Sequence, residues 1–313
     1  MSERLRESAF GNAIVYFRLA TAVAGRARFV FQPRRHEEVP MSVFSPIAQK
    51  CSVALLSLSA AISARCAAGT IYAANVVSSS GLGDSTANPS NDPASALGTP
   101  TTDEEYGAVN PFNPPFQTND IVVIPAGGSL ELSFAQPAAI SSAPALGVFV
   151  NNCLYDVSSD GSGVAGNPAS YISPVPEAIV SISQDGVTWH SVGDISFDLP
   201  TNAYLDTEIS EYFQPSGNVL ANFGQPFVGT LSDLNGLDYD QIRTLFNGSA
   251  GGNWLDLSGT GLTSFQFVEF SVPADSGERM VIDAIAAQSV PEPAAALLLP
   301  LALAAAGRRR RHS

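Results

Sequence analysis

Between residues 71 and 286 the apolar side chains fall into eight short runs, each fenced by clusters of Gly, Pro, Asn, Asp and Ser. The runs cover 71–77, 121–124, 129–134, 146–150, 178–183, 187–192, 263–272 and 280–286. Runs this short, alternating or fully apolar, are strand signals, and the residues between them supply turn chemistry. The pattern points to an all-β class: a single β-sandwich or jelly-roll domain, since strands with one apolar face must bury it against another layer. No repeat at solenoid spacing is present.

Within this pattern one hairpin is well marked. In 181–189 the dipeptide Asp185-Gly186 suits a two-residue type I′ turn, whose central residues need positive φ. That register pairs Ile182 with Trp189 on the core face, Ser183 with Thr188, and Ser181 with His190 on the outward face. Two stretches depart from the strand pattern. Residues 81–119, rich in Pro, Asn, Ser and Thr, read as a long irregular excursion. Residues 237–247 carry Leu237, Ile242, Leu245 and Phe246 at spacings suited to a short helix near 238–247.

Both ends read as targeting segments rather than as fold. Met41 opens a leader with a short polar region up to Lys50, an apolar run over 51–62 and small residues beyond. Cleavage after Ala68 or Ala73 satisfies the small-residue rule. The Arg-rich residues 1–40 precede it, either as an extension upstream of the true start or as an unusually long leader head. The organisation expected is therefore extension 1–40, signal peptide 41–73, β-sandwich 74–289 and a C-terminal segment 290–313.

That last segment has three parts: Pro291-Glu292-Pro293, an apolar run over 294–306, and Arg308, Arg309, Arg310 and Arg311. Thirteen residues make a helix only ~20 Å long at ~1.5 Å per residue, and Pro300 weakens it. A hydrocarbon core is ~30 Å thick, so the run is a poor permanent anchor, while the arginines hold its end in the cytoplasm. The order of parts resembles the PEP-CTERM sorting signal. That resemblance implies recognition by an exosortase-type processing enzyme, transient insertion in the inner membrane, removal of the helix, and delivery to the outer surface or extracellular matrix. A simple C-terminal anchor is the other reading.

Charge separates the body from its ends. From 69 to 289 the net charge is −22, with Arg243 and Arg279 as its only strong bases and no Lys. Such a surface excludes binding to nucleic acid or anionic lipid through phosphate neutralisation, and it attracts cations. Cys153 is alone in the body, which excludes an intrachain disulfide there and reads as an apolar filler.

The body resembles the galactose-binding-like, discoidin-type β-sandwich. The resemblance is carried by Ala94-Ser95-Ala96-Leu97-Gly98, by 125–134, by the 180–189 hairpin, and by Gly251-Gly252-Asn253-Trp254-Leu255-Asp256-Leu257. The segments 265–270 and Val281-Ile282-Asp283-Ala284-Ile285 continue the order. Where that family has a Val-Phe-Glu-like segment, Val150 stands here in place of the acid. The resemblance implies carbohydrate binding, with Trp254, Tyr204, Tyr212 and Tyr239 as aromatic candidates. Residues 247–249 also match a glycosylation sequon.

Catalytic signatures are sparse. His190 is the one histidine of the body, and no G-x-S-x-G, H-E-x-x-H or P-loop occurs. Two oxygen-rich runs are candidates for calcium: Asp156 and Asp160 in a Gly-rich loop, and Asp233, Asn235, Asp238 and Asp240 before the short helix. Hard cations take six to eight such oxygens, although neither run has EF-hand spacing. The expectation is a non-catalytic, exported surface or matrix protein. A Ca²⁺-dependent carbohydrate-binding module that holds extracellular polysaccharide is the alternative, and a hydrolase with two facing carboxylates is a distant third.

Overall fold

A computed structural model describes residues 69–83, 90–140, 144–171, 174–207 and 215–290. The expected extension, the signal peptide up to residue 68, and the sorting segment from 291 onward lie outside the described residues.

The described residues form eleven strands: β1 (Thr70–Ser80), β2 (Asp103–Glu104), β3 (Gly107–Ala108), β4 (Val122–Pro125), β5 (Ser129–Ala139), β6 (Leu146–Val150), β7 (Glu177–Ser183), β8 (Trp189–Ser196), β9 (Asn253–Leu255), β10 (Ser264–Ser271) and β11 (Arg279–Gln288). One helix, α1 (Tyr239–Phe246), stands among the described residues. All eight expected strand regions carry a strand, and the all-β expectation holds.

Nine strands make one antiparallel, strongly curled sheet in the order β8-β7-β10-β5-β1-β11-β6-β9, with β4 also paired to β11. The curl turns on β1. Its first residues pair with β11, through Thr70↔Gln288 to Tyr72↔Ala286. From Ala73 onward it pairs with β5, across two register shifts. Such bulges bend a strand and increase its twist, so one long strand serves both halves of the fold. Between the halves lie Leu130, Leu132 and Phe134 of β5, Val180 and Ile182 of β7, Val268 and Phe270 of β10, and Ile282 and Ile285 of β11. The alternation of β5 and β7 places these residues inward. In contrast, β11 is buried along nearly its whole length, because loops cover its second face.

The β7–β8 hairpin differs from expectation by one residue. Ser183 pairs with Trp189 and Ile182 with His190, so a five-residue loop replaces the two-residue turn. Side chains cause the shift. The Asp185 carboxylate accepts the Val187 and Thr188 N–H groups at 2.9 and 2.8 Å, and Ser183 Oγ accepts that of Gly186 at 3.0 Å. These bonds offer the backbone an alternative to the ladder. Ile182 still faces the core, and its ladder partner is His190, which is half-buried rather than outward beside Ser181.

Helix α1 is set by its caps. Asp238 accepts the Gln241 N–H at 2.8 Å, and Gln241 Oε1 in turn accepts the Asp238 N–H at 3.0 Å. Asn247 closes the helix in the left-handed region at φ 49. Tyr239, Ile242 and Phe246 are buried, while Leu245 points to solvent. The expected irregular excursion also holds ordered pieces: a 3-10 turn at Pro93–Ala96 and the β2–β3 pair. Ala96, Val109 and Phe112 from this stretch are buried, so its order comes from distant contacts that composition does not report.

The body also starts earlier than residue 74. Thr70, Ile71 and Tyr72 are in the ladder, and Ala73 is 2% exposed.

Candidate functional site

The two oxygen-rich runs meet in space. Ala165 N–H donates to Leu237 O and Gly236 N–H to Gly166 O, each at 2.9 Å, and the Ala169 N–H donates to Asn235 Oδ1 at 2.8 Å. Leu234, Ala165, Ala169 and Tyr239 form one apolar cluster beneath them.

The candidate oxygens in these runs serve the backbone. Asp156 accepts N–H groups of Ser158 and Val164 at 2.8 and 2.9 Å, and the Ser158 hydroxyl at 2.8 Å. Partial burial acts to raise its carboxyl, but these bonds outweigh it and hold the group below its ordinary value. Asp160 accepts the Ser162 N–H at 3.1 Å. Asp233 accepts the Thr230 N–H and hydroxyl at 2.8 and 2.9 Å, which lowers its carboxyl. Asp238 caps α1, and Asp240 pairs with Arg243 at 2.7 Å. Among the described residues, no three or more His, Cys, Asp or Glu side chains form a ready metal-holding group.

A groove of about 380 Å³ opens beside β9. Its walls include Trp254, Phe227, Asn253, Asp198, Asp256 and the strongly exposed Val228. Trp254 lies over Gly147 of β6, where a Cβ would meet the indole ring at 2.8 Å. Glycine at 147 therefore lets the ring lie flat on the sheet, and the Trp254 N–H donates to Gly251 O at 3.2 Å. The ring stays half-exposed. Asn253 is buried and binds Leu199 through both ends of its amide, at 3.0 and 3.2 Å, which fixes Asp198 beside the strand.

The two groove carboxyls differ. Burial raises that of Asp198, and its charge adds to the burial that raises the nearby Tyr171 hydroxyl, a group without a hydrogen-bond partner. Asp256 accepts the Ser258 N–H at 2.8 Å, and that bond lowers its carboxyl. An aromatic face beside two acceptors of unequal acidity suits a polyhydroxylated ligand, with stacking for the ring face and carboxyls for the hydroxyls.

The other aromatic candidates are placed differently. Tyr204 is buried and donates to Asp103 at 2.6 Å, and Tyr239 is buried and donates to Asn202 at 2.6 Å. Tyr212 lies outside the described residues. The Cys153 thiol donates to Phe112 O at 3.2 Å, and burial pushes it up to about 12, which makes it a poor nucleophile. Asp198, Asp256 and Phe227 went unmarked in sequence. In a body so rich in acids, no single carboxylate stands out, and the groove is assembled from segments far apart in the chain.

No protein-family model matches this chain, and no curated protein matches it as a relative.

Proposed function

We propose that this chain is an exported, non-catalytic surface or extracellular-matrix protein, addressed by a PEP-CTERM-type tag and cut by an exosortase-type enzyme. Its body is a galactose-binding-like jelly-roll sandwich in this reading. The observation that carries it is the three-part order of Pro291-Glu292-Pro293, the short apolar run and Arg308 to Arg311. The way the body closes supports the same reading. Gly69 N–H donates to Ser289 Oγ at 3.0 Å, and Ser289 N–H donates to Gly69 O at 2.8 Å. Gly69, the first described residue, and Ser289, next to the last, thus hold each other just inside the two expected cuts. Signal cleavage after Ala68 leaves this clamp intact, whereas cleavage after Ala73 would delete the β1–β11 ladder pairs. Ala68 is therefore the proposed site. Replacing Arg308, Arg309, Arg310 and Arg311 together with Ala should leave the protein unprocessed at the inner membrane in cell fractionation; normal surface delivery of that variant would refute the tag.

A second reading, favoured by the groove under Trp254, is a module that binds extracellular polysaccharide. A glycan array run with and without EDTA tests it: binding that Trp254→Ala removes supports the groove, and no signal in either condition sinks it. The hydrolase reading rests on Asp198 and Asp256 sharing that groove; release of reducing ends that Asp198→Asn abolishes would replace the non-catalytic reading.

A further inference from the structure

The groove beside β9 offers its polar groups with a bias. Burial alternates along the strand and past its end: Asn253, Leu255 and Leu257 are buried, Trp254 is half-buried and Asp256 is exposed. That period of two puts Trp254 and Asp256 on the same side. Asp198 comes to the groove in the same way, between buried Phe197 and Leu199, and the two bonds between Leu199 and Asn253 hold it beside β9.

The other polar side-chain groups of the lining are engaged within the protein. Asn253 uses both ends of its amide on Leu199, and the Trp254 N–H is on Gly251 O. The Ser196 hydroxyl donates to Glu177 Oε1 at 2.6 Å. Among the described residues no Arg, Lys or His lines the groove. A carboxylate has about four acceptor sites and no proton to give. Asp256 fills one of its sites with the Ser258 N–H, so both carboxyls have acceptor sites left.

The ligand must therefore donate, and it gains by being positive. A carboxylate or sulfate on it would be repelled, the more so by a body of −22. A neutral hydroxyl can donate but brings no charge. An ammonium group has three donors, no acceptor and a positive charge. It also gains from an indole, the best aromatic face for a cation. Burial raises the Asp198 carboxyl, so its ionised form has most to gain from a cation beside it.

We propose that the groove binds a polysaccharide whose sugars carry free, protonated amines, with Trp254 against a sugar ring and Asp198 and Asp256 on the ammonium groups. This rests on reading the groove as a polysaccharide site and adds the class of sugar. N-acetylation of such a sugar removes the charge and brings a carbonyl oxygen that no unengaged side-chain donor of the lining meets. A lysine-rich peptide has the ammonium without the ring, so it would use the acids and leave Trp254 bare.

The test is calorimetric titration of the full chain with short glucosamine oligomers and with the same oligomers fully N-acetylated. The free-amine form should bind about tenfold tighter or more, and its affinity should fall as salt rises. Asp198→Asn combined with Asp256→Asn should remove that preference. Asn keeps an acceptor for the Ser258 N–H, and a melt matching the parent shows that this variant is folded. Trp254→Ala should weaken binding of both forms. Asp275→Asn, in the exposed loop after β10, removes a charge that does not line the groove and should change nothing. Tighter binding of the acetylated form, lost in Trp254→Ala, overturns the amine class and leaves the groove reading standing. Amine binding that survives both Trp254→Ala and the double Asn variant overturns the site, since diffuse body charge then holds the ligand. A lysine oligomer of equal length that competes equally well overturns the sugar as occupant. Binding of neither oligomer overturns the inference, while a glycan-array signal that Trp254→Ala removes would still support the groove.

Discussion

At Asp283 burial works against ionisation. Its carboxyl is raised from an ordinary value near 3.8 to about 7, first by burial and then by its acidic neighbours. Between those values the folded chain holds a proton that the unfolded chain has released. Stability from this group is therefore complete below about pH 4 and is lost as pH rises through about 7. At ~1.36 kcal/mol per pKa unit, the loss is on the order of 4 kcal/mol. Asp283→Asn keeps an acceptor for Thr101 but cannot ionise. Its melting temperature should vary much less between pH 5 and 8 than that of the parent; an unchanged slope would assign the pH dependence to other groups. Cys153 offers a second check. With its thiol pushed up to about 12, the native mature chain should resist alkylation at pH 8 and take one label once unfolded, read by mass. None of this is legible in sequence, because the penalty on Asp283 comes from burial and from the charges of Asp120 and Glu104, partly offset by the bonds from Thr101, and the fold brings these groups together from distant parts of the chain.

Strands were the most legible elements, since alternation in 129–134 and 178–183 reports a buried face directly. Helix α1 was legible for a second reason: Asp238, Gln241 and Asn247 write its caps into the sequence. The β7–β8 register was not, because Asp185 and Ser183 hydrogen-bond to the loop backbone and lengthen a turn that Asp-Gly alone would make shorter. Strand β9 was missed because three residues give too little periodicity. Its place depends on Gly147, whose meaning appears only with Trp254 lying over it. Gly147→Ala should force the indole off β6, costing about 1–3 kcal/mol in denaturant unfolding and moving tryptophan emission to the red. Unchanged emission and stability would mean that the groove wall does not depend on this contact. For the groove itself, Trp254 was legible as an aromatic candidate, while Asp198 and Asp256 were hidden by the sheer number of acids.

For the whole molecule, one curled antiparallel sheet carries both ends of the described body on neighbouring strands, where Gly69 and Ser289 extend the β1–β11 ladder. Among the described residues no helix is long and apolar enough to cross a membrane. The charge of the body and that of the ends fit different tasks: acids on the part proposed to remain outside, bases on the parts proposed to be removed. The intact mass of the protein recovered from outside the producing cell tests export and sorting most directly. The expected mass is that of a chain beginning at Gly69 and ending near Pro293. A mass that still includes 294–313, or a chain found only inside the cell with residues 41–68 attached, would contradict it.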